Sequence, residues 1–337
     1  MSQAQHDQPV VIVTGADDKF AMPVAVTLYS ALSNLAPNRT VKLFIIDDGI
    51  TEQNKRKVAE VLDVRDESVH LKWLKPDVLV LSDLTTTEWH SRATYLRLLL
   101  PSLLPEEVDQ AIYLDSDLVI EADLSELWDR DITDYLVLAV QDYAFPYASS
   151  RSELYPVYQA LGLGPATPYL NAGVLLVNLK RWRAENIAFQ ALEFTRNFKK
   201  QARFLEQDGL NAIIAGRWGQ LDPRWNINLY VLDSYGHGLN LSKEEMHKAQ
   251  AELMRRPAIL HYTGLHKPWH FLYIKPAPAP FFYYLKKSGW FSPVEYVQFS
   301  LPRRVVHALL QTFPRNFLRR IGRQRTKAKN WLGKGRT

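Results

Sequence analysis

The stretch Ala111–Ile120, AIYLDSDLVI, decides the fold. Four apolar residues run into Asp115-Ser116-Asp117 and three more follow at once, which is typical of a buried strand that ends in a short acidic turn. In open α/β sheets ligands bind at the carboxyl ends of strands. Two carboxylates two residues apart point to the same side there and can bind a hard divalent cation through oxygen. The stretch therefore predicts an α/β fold with a ligand site at this strand end.

The acidic triplet alone is a weak signal, because the chain contains a second one, Asp129-Arg130-Asp131, after Trp128. Only the first triplet lies between apolar strand sequences, whereas the second is expected in a solvated turn. The alternative for Asp115 and Asp117 is that they cap the strand end and bind nothing.

Short apolar strands alternate with amphipathic helices on both sides of this stretch, which predicts one Rossmann-like, mainly parallel mixed sheet with helices on both faces. The predicted strands are Val10–Thr14, Val41–Ile46, Val69–Leu74, Ala111–Leu114, Leu136–Val140, Gly173–Asn178 and Ile259–Tyr262. The predicted helices are Met22–Leu35, Thr51–Leu62, Trp89–Leu100, Trp182–Phe198 and Gln207–Ala215. Pro276 to Pro280, PAPAP, predicts a stiff extended connector. We place a boundary there, between a catalytic domain at 1–275 and a C-terminal tail at 276–337.

Composition excludes several classes of protein. The 337 residues include no cysteine, so thiolate metal centres, disulfide scaffolds and cysteine nucleophiles are excluded. Neither G-x-G-x-x-G nor the G-x-x-x-x-G-K-[ST] phosphate loop occurs, which disfavours nicotinamide dehydrogenases and P-loop NTPases. The amino terminus MSQAQHDQPV is polar. No uncharged apolar run comes close to the length of a membrane span, which is about 20 residues, so we expect a cytoplasmic location.

Charge is distributed unevenly along the chain. Residues 286–337 hold 13 Lys or Arg and one acid, whereas the preceding residues hold 28 bases and 35 acids. The acidic body argues against a nucleic-acid partner. In the tail Val305, Leu309 and Phe313 recur every fourth residue, flanked by arginines, with Phe317 and Ile321 continuing the apolar side. This pattern predicts peripheral association with an anionic membrane surface. The alternatives are a tail packed partly on the body and, less favoured, RNA binding.

The segment HYTGLHKPW, residues 261–269, follows a second predicted strand end. An imidazole from His261 beside two carboxylates would complete a mixed nitrogen and oxygen site for manganese or a similar ion. Gly264 permits close backbone approach, and Lys267 supplies a positive charge for a phosphate. The alternative is a hydrogen-bonded histidine followed by a tight turn.

Three further segments place polar groups near predicted strand or helix ends. Asn171 precedes a very apolar strand and either bonds substrate hydroxyls or caps that strand. Glu206-Gln207-Asp208 begins a helix, where acids suit the positive end of the dipole and could equally face a sugar. Gly15-Ala16-Asp17-Asp18 follows the first strand, at a position typical for a nucleotide base.

In this order YLDSDLVI, YLNAGVLLVNLKRWR, EQDGLNA and HYTGLHKPWH resemble the retaining glycosyltransferases of family 8, which include bacterial lipopolysaccharide galactosyl- and glucosyltransferases and glycogenin. The resemblance runs from about Val10 to Trp269. It implies a GT-A fold, a UDP-glucose or UDP-galactose donor, and manganese, with magnesium as the alternative. It also implies hexose transfer with retention to a glycan or glycolipid acceptor, in lipopolysaccharide or cell-surface polysaccharide synthesis. Together with the basic tail, we expect this activity on the inner face of the membrane.

The resemblance implies a role for each motif residue. The implied metal ligands are Asp115, Asp117 and His261. The implied nucleotide-sugar contacts are Thr14, Gly15, Ala16, Asp17, Arg97, Ser116, Asn171, Ala172, Gly173, Gln207, Asp208, Gly264 and Lys267, together with the three metal ligands. The implied catalytic residues are Glu206, Gln207, Asp208 and Lys267. Two positions depart from the family pattern: Glu206 stands where many members have Asp, and Lys19 where a small polar residue is common.

Two other functions stay open on the sequence alone. A nucleotidyltransferase would need a triphosphate loop, which the sequence lacks. A non-catalytic, membrane-associated protein that binds nucleotide sugars would need no complete set of metal ligands.

Overall fold

Ten strands form two sheets in the computed structural model, which describes residues 8–63, 67–84, 92–202, 204–235, 241–271, 273, 275 and 277–311. The strands are β1 (Val10–Ala16), β2 (Val41–Asp47), β3 (Val69–Leu74), β4 (Gln110–Leu114), β5 (Leu118–Ile120), β6 (Val137–Gln141), β7 (Leu170–Asn178), β8 (Trp218–Gln220), β9 (Ile227–Asn228) and β10 (Ile259–His261).

The larger sheet has seven strands in the order β3-β2-β1-β4-β7-β6-β8. β7 runs antiparallel to both β4 and β6, and the other neighbouring pairs are parallel, so the predicted mixed, mainly parallel sheet is confirmed. All seven residues of β1 and all nine of β7 are buried, as expected for strands covered on both faces. A three-stranded sheet, β5-β10-β9, lies beyond the end of β4.

Helices cover the sheet on both sides. They are α1 (Ala21–Ser33), α2 (Glu52–Val61), α3 (Leu100–Leu103), α4 (Ser125–Trp128), α5 (Tyr155–Ala160), α6 (Leu179–Ala184), α7 (Ile187–Asn197), α8 (Leu205–Ile214), α9 (Lys243–Arg255), α10 (Pro278–Lys287) and α11 (Pro293–Gln311). Short 3-10 helices span Asp18–Phe20, Val78–Leu81, Arg92–Leu99, Ala148–Ser150, Pro223–Asn226 and Leu232–Ser234. No helix in these described ranges combines the length and the apolar character that a bilayer crossing needs.

The small sheet is tied to the body through α1. Thr27 Oγ1 donates to the carbonyl of Leu118 at 2.8 Å, and Ser30 Oγ accepts from the amide of Ile120 at 2.9 Å. These bonds satisfy two hydroxyls in a helix that is otherwise buried among apolar residues. They also fix β5, and therefore the acidic turn before it, against the rest of the fold.

Three element predictions are wrong. The predicted helix ending at Pro101 is a 3-10 helix over Arg92–Leu99 followed by α3, which places Pro101 in its first turn, where proline is tolerated. The start of that predicted helix lies outside the described residues. The predicted helix Trp182–Phe198 is divided into α6 and α7 at Asn186, whose φ of 51° is left-handed.

The third wrong prediction is the extended connector at Pro276 to Pro280. Residue 276 lies outside the described ranges, but α10 begins at Pro278, because prolines are compatible with the first turn of a helix. Phe281, Phe282 and Leu285 of α10 are buried in the main core. This part of the predicted tail therefore packs on the body, and the domain boundary at 275 stays a prediction. Phe313, Phe317 and Ile321 lie outside the described residues.

Candidate active site

Two carboxylates and one imidazole meet where β4 ends. Asp115 follows β4, Asp117 precedes β5, and His261 is the last residue of β10. Because β10 pairs antiparallel with β5, with His261 opposite Leu118, the imidazole is brought beside the acidic turn. Nε2 of His261 lies 3.3 Å from Oδ1 of Asp117 and 3.7 Å from Oδ2 of Asp115. One ligand atom from each of the three side chains lies within 4.8 Å of the others.

Asp117 and His261 are buried and Asp115 is partly buried, and the charges around the two carboxylates differ. Burial raises the pKa of Asp115, and Arg97 and His261 oppose that rise only in part. Burial would raise the pKa of Asp117 too, but the ammonium of Lys267 and the neighbouring imidazole of His261 outweigh it and lower that pKa below its usual range. Two carboxylate oxygens and one imidazole nitrogen form a donor set that suits Mn²⁺ and related divalent cations. These residues therefore fit the metal that the sequence resemblance implies.

Gly173 leaves room for this cluster. A Cβ added there would lie 2.2 Å from Cε1 of His261 and 3.0 Å from Oδ2 of Asp115, so a larger residue would displace a predicted ligand. The carbonyl of Gly173 also accepts from the amide of Asp115 at 2.9 Å, which holds the start of the acidic turn on β7.

Arg97 reaches the cluster from the 3-10 helix before α3. Its Nη2 donates to Oδ1 of Asp115 at 2.6 Å, and its Nη1 donates to the carbonyl of Ala172. The guanidinium also lies 5.0 Å from the ring centre of Tyr113. Arg97, which is predicted to contact the donor sugar, thus lies beside the cluster of Asp115, Asp117 and His261, buried and fixed by three neighbours.

Glu206 lies behind Arg97, with Oε1 3.6 Å from its Nε. The side chain is almost completely buried, and Oε2 has no hydrogen-bond partner among the described residues. Burial raises the pKa of Glu206 to about 7, against the opposing charge of Arg97.

Lys267 contacts the other carboxylate of the cluster, that of Asp117. Its Nζ donates to Oδ2 of Asp117 and to the carbonyl of Tyr262, the latter at 2.7 Å. Gly264, in the same segment, has a φ of 84°, and a Cβ there would lie 2.5 Å from Cδ2 of Tyr230. Lys267 therefore lies next to the acidic residues, and the diphosphate contacts predicted for Gly264 and Lys267 stay predictions.

Asn171 and Gln207 line the adjoining end of β7 and α8. Oε1 of Gln207 accepts from the amide of Ala172 at 2.9 Å, and Nε2 lies 3.5 Å from Oδ2 of Asp142. Nδ2 of Asn171 donates to the same oxygen of Asp142 at 2.9 Å. Two amide side chains thus converge on one carboxylate beside the metal cluster.

Asp208 points away from this group, into the interior. Oδ1 accepts from Arg151 Nε at 3.0 Å and from the hydroxyl of Tyr169 at 2.6 Å. Oδ2 accepts from Arg151 Nη2 at 2.9 Å and from the amide of Phe204 at 2.8 Å. These four donors give the carboxylate a structural role, and its predicted contact with a sugar stays a prediction.

The end of β1 lies at the same edge of the sheet as the end of β4, because the two strands are parallel neighbours. Oδ1 of Asp17 accepts from the amides of Lys19 and Phe20 at 3.0 and 3.2 Å, so it caps the following 3-10 helix. The hydroxyl of Thr14 is buried and has no hydrogen-bond partner among the described residues. The predicted nucleotide contacts of this segment, and of Ser116, stay predictions.

Sequence reasoning missed four polar residues of the site: Asp142, Arg151, Tyr169 and Asn226. Asn226 bonds the imidazole of His261 and the amide of Asn171, each at 2.8 Å. Tyr169 begins the quoted motif YLNAGVLLVNLKRWR but was given no role there, and the other three belong to no quoted motif, since their partners Asn171 and Asp208 lie 29 to 57 residues away. The one available signal was their residue type in apolar surroundings.

Comparison with known proteins agrees with this geometry. The sequence profile of Glycosyl transferase family 8 matches residues 11–272. General stress protein A of Bacillus subtilis (strain 168) is 29% identical over 289 residues, which cover 85% of this chain and 96% of that protein. The lipopolysaccharide 1,2-glucosyltransferase of Escherichia coli (strain K12) is 27% identical over 282 residues, covering 83% and 78%. The galactosyltransferase LgtC, solved with donor and acceptor sugar analogues, has a TM-score of 0.69 and 26% identity, covering 86% of this chain and 99% of its own.

Proposed function

This chain is a glycosyltransferase of family 8, and from that premise we propose that it transfers a hexose from UDP-glucose or UDP-galactose to a glycan or glycolipid acceptor, with retention of the anomeric configuration. The observation that carries the proposal is the cluster of Asp115, Asp117 and His261 at the end of β4, with Lys267 beside it. Similarity to a glucosyltransferase and to a galactosyltransferase supports both donors. Similarity to a lipopolysaccharide enzyme supports an acceptor used in cell-surface polysaccharide synthesis.

Breaking the bond between the sugar and the diphosphate leaves negative charge on the diphosphate. A divalent cation, Mn²⁺ or Mg²⁺, held by Asp115, Asp117 and His261 would supply Lewis-acid stabilisation of that charge. Lys267 adds a fixed positive charge next to the same cluster. Positive charges aimed at a developing anion lower the barrier because they act most strongly in the transition state.

Retention requires either a covalent sugar–enzyme intermediate or attack on the face that the leaving group vacates. Gln207 carries an amide, which is a poor nucleophile, and Asp208 is occupied by four donors of the protein itself. We therefore favour same-face substitution, in which the departing phosphate oxygen accepts the acceptor's proton. Arg97, Asn171 and Glu206 would orient the sugar. A glycosyl adduct trapped on Glu206 or Asp208 would overturn this mechanism.

The test is release of UDP from UDP-glucose and UDP-galactose in the presence of Mn²⁺. Asp117→Asn removes one anionic ligand and should lower the rate by about 100-fold or more, since a Lewis acid supplies several kcal/mol of stabilisation. Asp131→Asn is the matched control, because this exposed carboxylate accepts from the amide of Thr133 in a turn outside the cluster. Wild-type rates in Asp117→Asn, or no release from either donor by the wild type, would refute the proposal.

We also propose that the C-terminal region holds the enzyme on the cytoplasmic face of an anionic membrane. On α11 five apolar side chains recur at spacings of three and four and are 49 to 66% exposed: Val294, Val297, Leu301, Val305 and Leu309. The other side of this helix contacts the body, where Arg303 donates to the carbonyl of Trp269 at 2.7 Å. The exposed stripe lies in the segment with 13 basic residues and one acid, which suits an anionic lipid surface.

Vesicle sedimentation tests this second proposal. The double variant Val305→Asp/Leu309→Asp should bind vesicles with anionic lipid at least about tenfold more weakly, because it removes two apolar side chains from the bilayer. Leu161→Asp, an exposed apolar residue after α5, is the control. Equal binding of the double variant and the wild type would remove the membrane proposal. Truncation at residue 275 is unsuitable, because it would expose the core that α10 covers.

A further inference from the structure

A line of side-chain hydrogen bonds leads from the metal cluster to the amides beside it, and Asn226 lies in its middle. We propose that Asn226 is a positioning residue that fixes the tautomer of His261, so that Nδ1 carries the proton and the lone pair of Nε2 faces the two carboxylates. This inference rests on the metal-dependent function proposed above. It concerns a residue that makes no contact with Asp115 or Asp117 in the described hydrogen bonds and ion pairs.

The fold places Asn226 between two strands of the site. It ends the 3-10 helix Pro223–Asn226 and directly precedes β9, which pairs in parallel with β10 so that Asn228 lies opposite His261. The side chain is 1% exposed. Its Oδ1 lies 2.8 Å from Nδ1 of His261, and its Nδ2 donates to Oδ1 of Asn171 at 2.8 Å.

Donor and acceptor can be assigned for each hydrogen bond from Gly173 through Asn171 and Asn226 to His261, starting at the amide of Gly173. The backbone amide of Gly173 can only donate, and it donates to Oδ1 of Asn171 at 3.0 Å. The other side of the Asn171 amide, Nδ2, donates to the carboxylate of Asp142. The oxygen of Asn171 is therefore the atom that faces Asn226, and Asn226 must present its NH₂ group to it.

That orientation leaves the amide oxygen of Asn226 facing His261. An amide oxygen accepts and cannot donate, so Nδ1 of the imidazole must carry the hydrogen. Nε2 is then the free acceptor of the neutral ring, at 3.3 Å from Asp117 Oδ1. Histidines that bind metals commonly donate their other ring N–H to such a partner, which fixes both ring orientation and tautomer.

The two hydrogen bonds of the Asn226 amide can be tested separately by mutation. Asn226→Leu has similar size and removes both the acceptor for His261 and the donor to Asn171. Asn226→Asp keeps an acceptor for Nδ1–H but loses the donor. A positioning role towards the metal ligand depends on the acceptor alone, so the two variants should differ in metal binding.

The experiment is a Mn²⁺ titration of the full-length protein in the presence of UDP, followed by electron paramagnetic resonance of the free ion. We expect Asn226→Leu to bind Mn²⁺ about 10- to 100-fold more weakly than the wild type, and Asn226→Asp to bind no more weakly. Asn228→Leu is the matched control, because this neighbouring amide accepts from Thr263 instead. Wild-type affinity in a folded Asn226→Leu protein, or an equal loss in Asn226→Asp, would overturn the proposal.

A second measurement needs no substitution at Asn226. In ¹⁵N-histidine spectra of the wild-type chain with Mg²⁺ and UDP, with the His261 signals identified by their loss in His261→Gln, Nδ1 should be the protonated nitrogen. An unprotonated Nδ1 would overturn the proposal even if Asn226→Leu does not fold. Failure of the proposed function looks different, because the wild type itself would then bind no Mn²⁺ in the titration.

Discussion

The ammonium of Lys267 donates a hydrogen bond to Oδ2 of Asp117, a residue 150 positions earlier in the chain, and both side chains are buried. The carbonyl of Tyr262 accepts from the same ammonium at 2.7 Å. Asp117 thus has a cationic partner of the protein's own beside the place where a divalent cation would bind. The ammonium and the cation would compete for this carboxylate until a diphosphate provides Lys267 with another anion.

This competition predicts opposite effects of one substitution on two ligands. Lys267→Met should bind Mn²⁺ more tightly than the wild type in the absence of nucleotide, by about tenfold, because a buried carboxylate loses its other partner. The same variant should bind UDP more weakly in saturating Mn²⁺, because a phosphate contact is lost. Calorimetric titrations with and without UDP measure both. Lys267→Arg keeps the charge and is the control, and weaker Mn²⁺ binding by Lys267→Met without nucleotide would contradict the prediction.

Gly173 allows a direct steric test of the site. A Cβ at this position would lie 2.2 Å from Cε1 of His261, so Gly173→Ala must displace the imidazole or strand β7. We expect at least about 100-fold loss of UDP release, since a displacement of about 1 Å at a reacting centre has a cost of that order. Gly164→Ala, whose added Cβ would meet only Thr167 Oγ1 at 4.0 Å, should retain the wild-type rate. Similar rates in the two variants would show that the imidazole position is not critical.

Much of the fold was predictable because apolar residues mark the strands, as continuous runs in the covered strands β1 and β7 and as alternation with polar residues in the edge strand β3. The third strand, Val69–Leu74, was predicted with its observed ends, and the other predicted strands occur within a few residues of theirs. The division of α6 and α7 at Asn186 was not predictable, because apolar periodicity continues across a single left-handed residue.

The candidate site divides in the same way. Asp115, Asp117 and His261 were predicted because each lies at the end of an apolar run, and ends of neighbouring strands meet in space. Asn226 and Arg151 were missed, because their partners His261 and Asp208 are 35 and 57 residues away and no spacing rule connects them. Sequence patterns thus predict polar side chains at strand ends, but not the buried side chains that hydrogen-bond to them from distant parts of the chain.

The buried carboxyl of Glu206 should make the unfolding free energy depend on pH. Burial raises its pKa from 4.5 to about 7 in the folded protein, so folding favours the protonated acid. This contribution to stability is complete below about pH 4.5 and is lost as the pH rises through 7. The wild type should therefore lose stability relative to Glu206→Gln as the pH rises. The unfolding free energy of the variant minus that of the wild type should be about 2 kcal/mol larger at pH 7.5 than at pH 5. Urea unfolding in EDTA measures this difference, and an equal difference at both pH values would contradict it.

Arg151 and Asp208 predict the largest effect on stability. The guanidinium lies between the rings of Phe145 and Phe204, with its central carbon 4.9 and 4.5 Å from their centres, and the carboxylate is fully buried. Arg151→Met would leave Asp208 buried without its cation, which typically costs about 3–5 kcal/mol. The double variant Arg151→Met/Asp208→Leu removes the charge as well and should recover part of that loss, since an apolar pair can replace a buried ion pair.

Urea unfolding of both single variants and the double variant, arranged as a double-mutant cycle, measures the coupling between Arg151 and Asp208. A strongly favourable coupling would show that the carboxylate serves to hold α8 to the segment before α5. Asp208→Asn adds a functional measurement: if the role is structural, the donor KM should stay near the wild-type value while the unfolding free energy falls. A raised KM at unchanged stability would instead support the predicted contact with the sugar, because only a group that reaches the substrate would alter binding without weakening the fold.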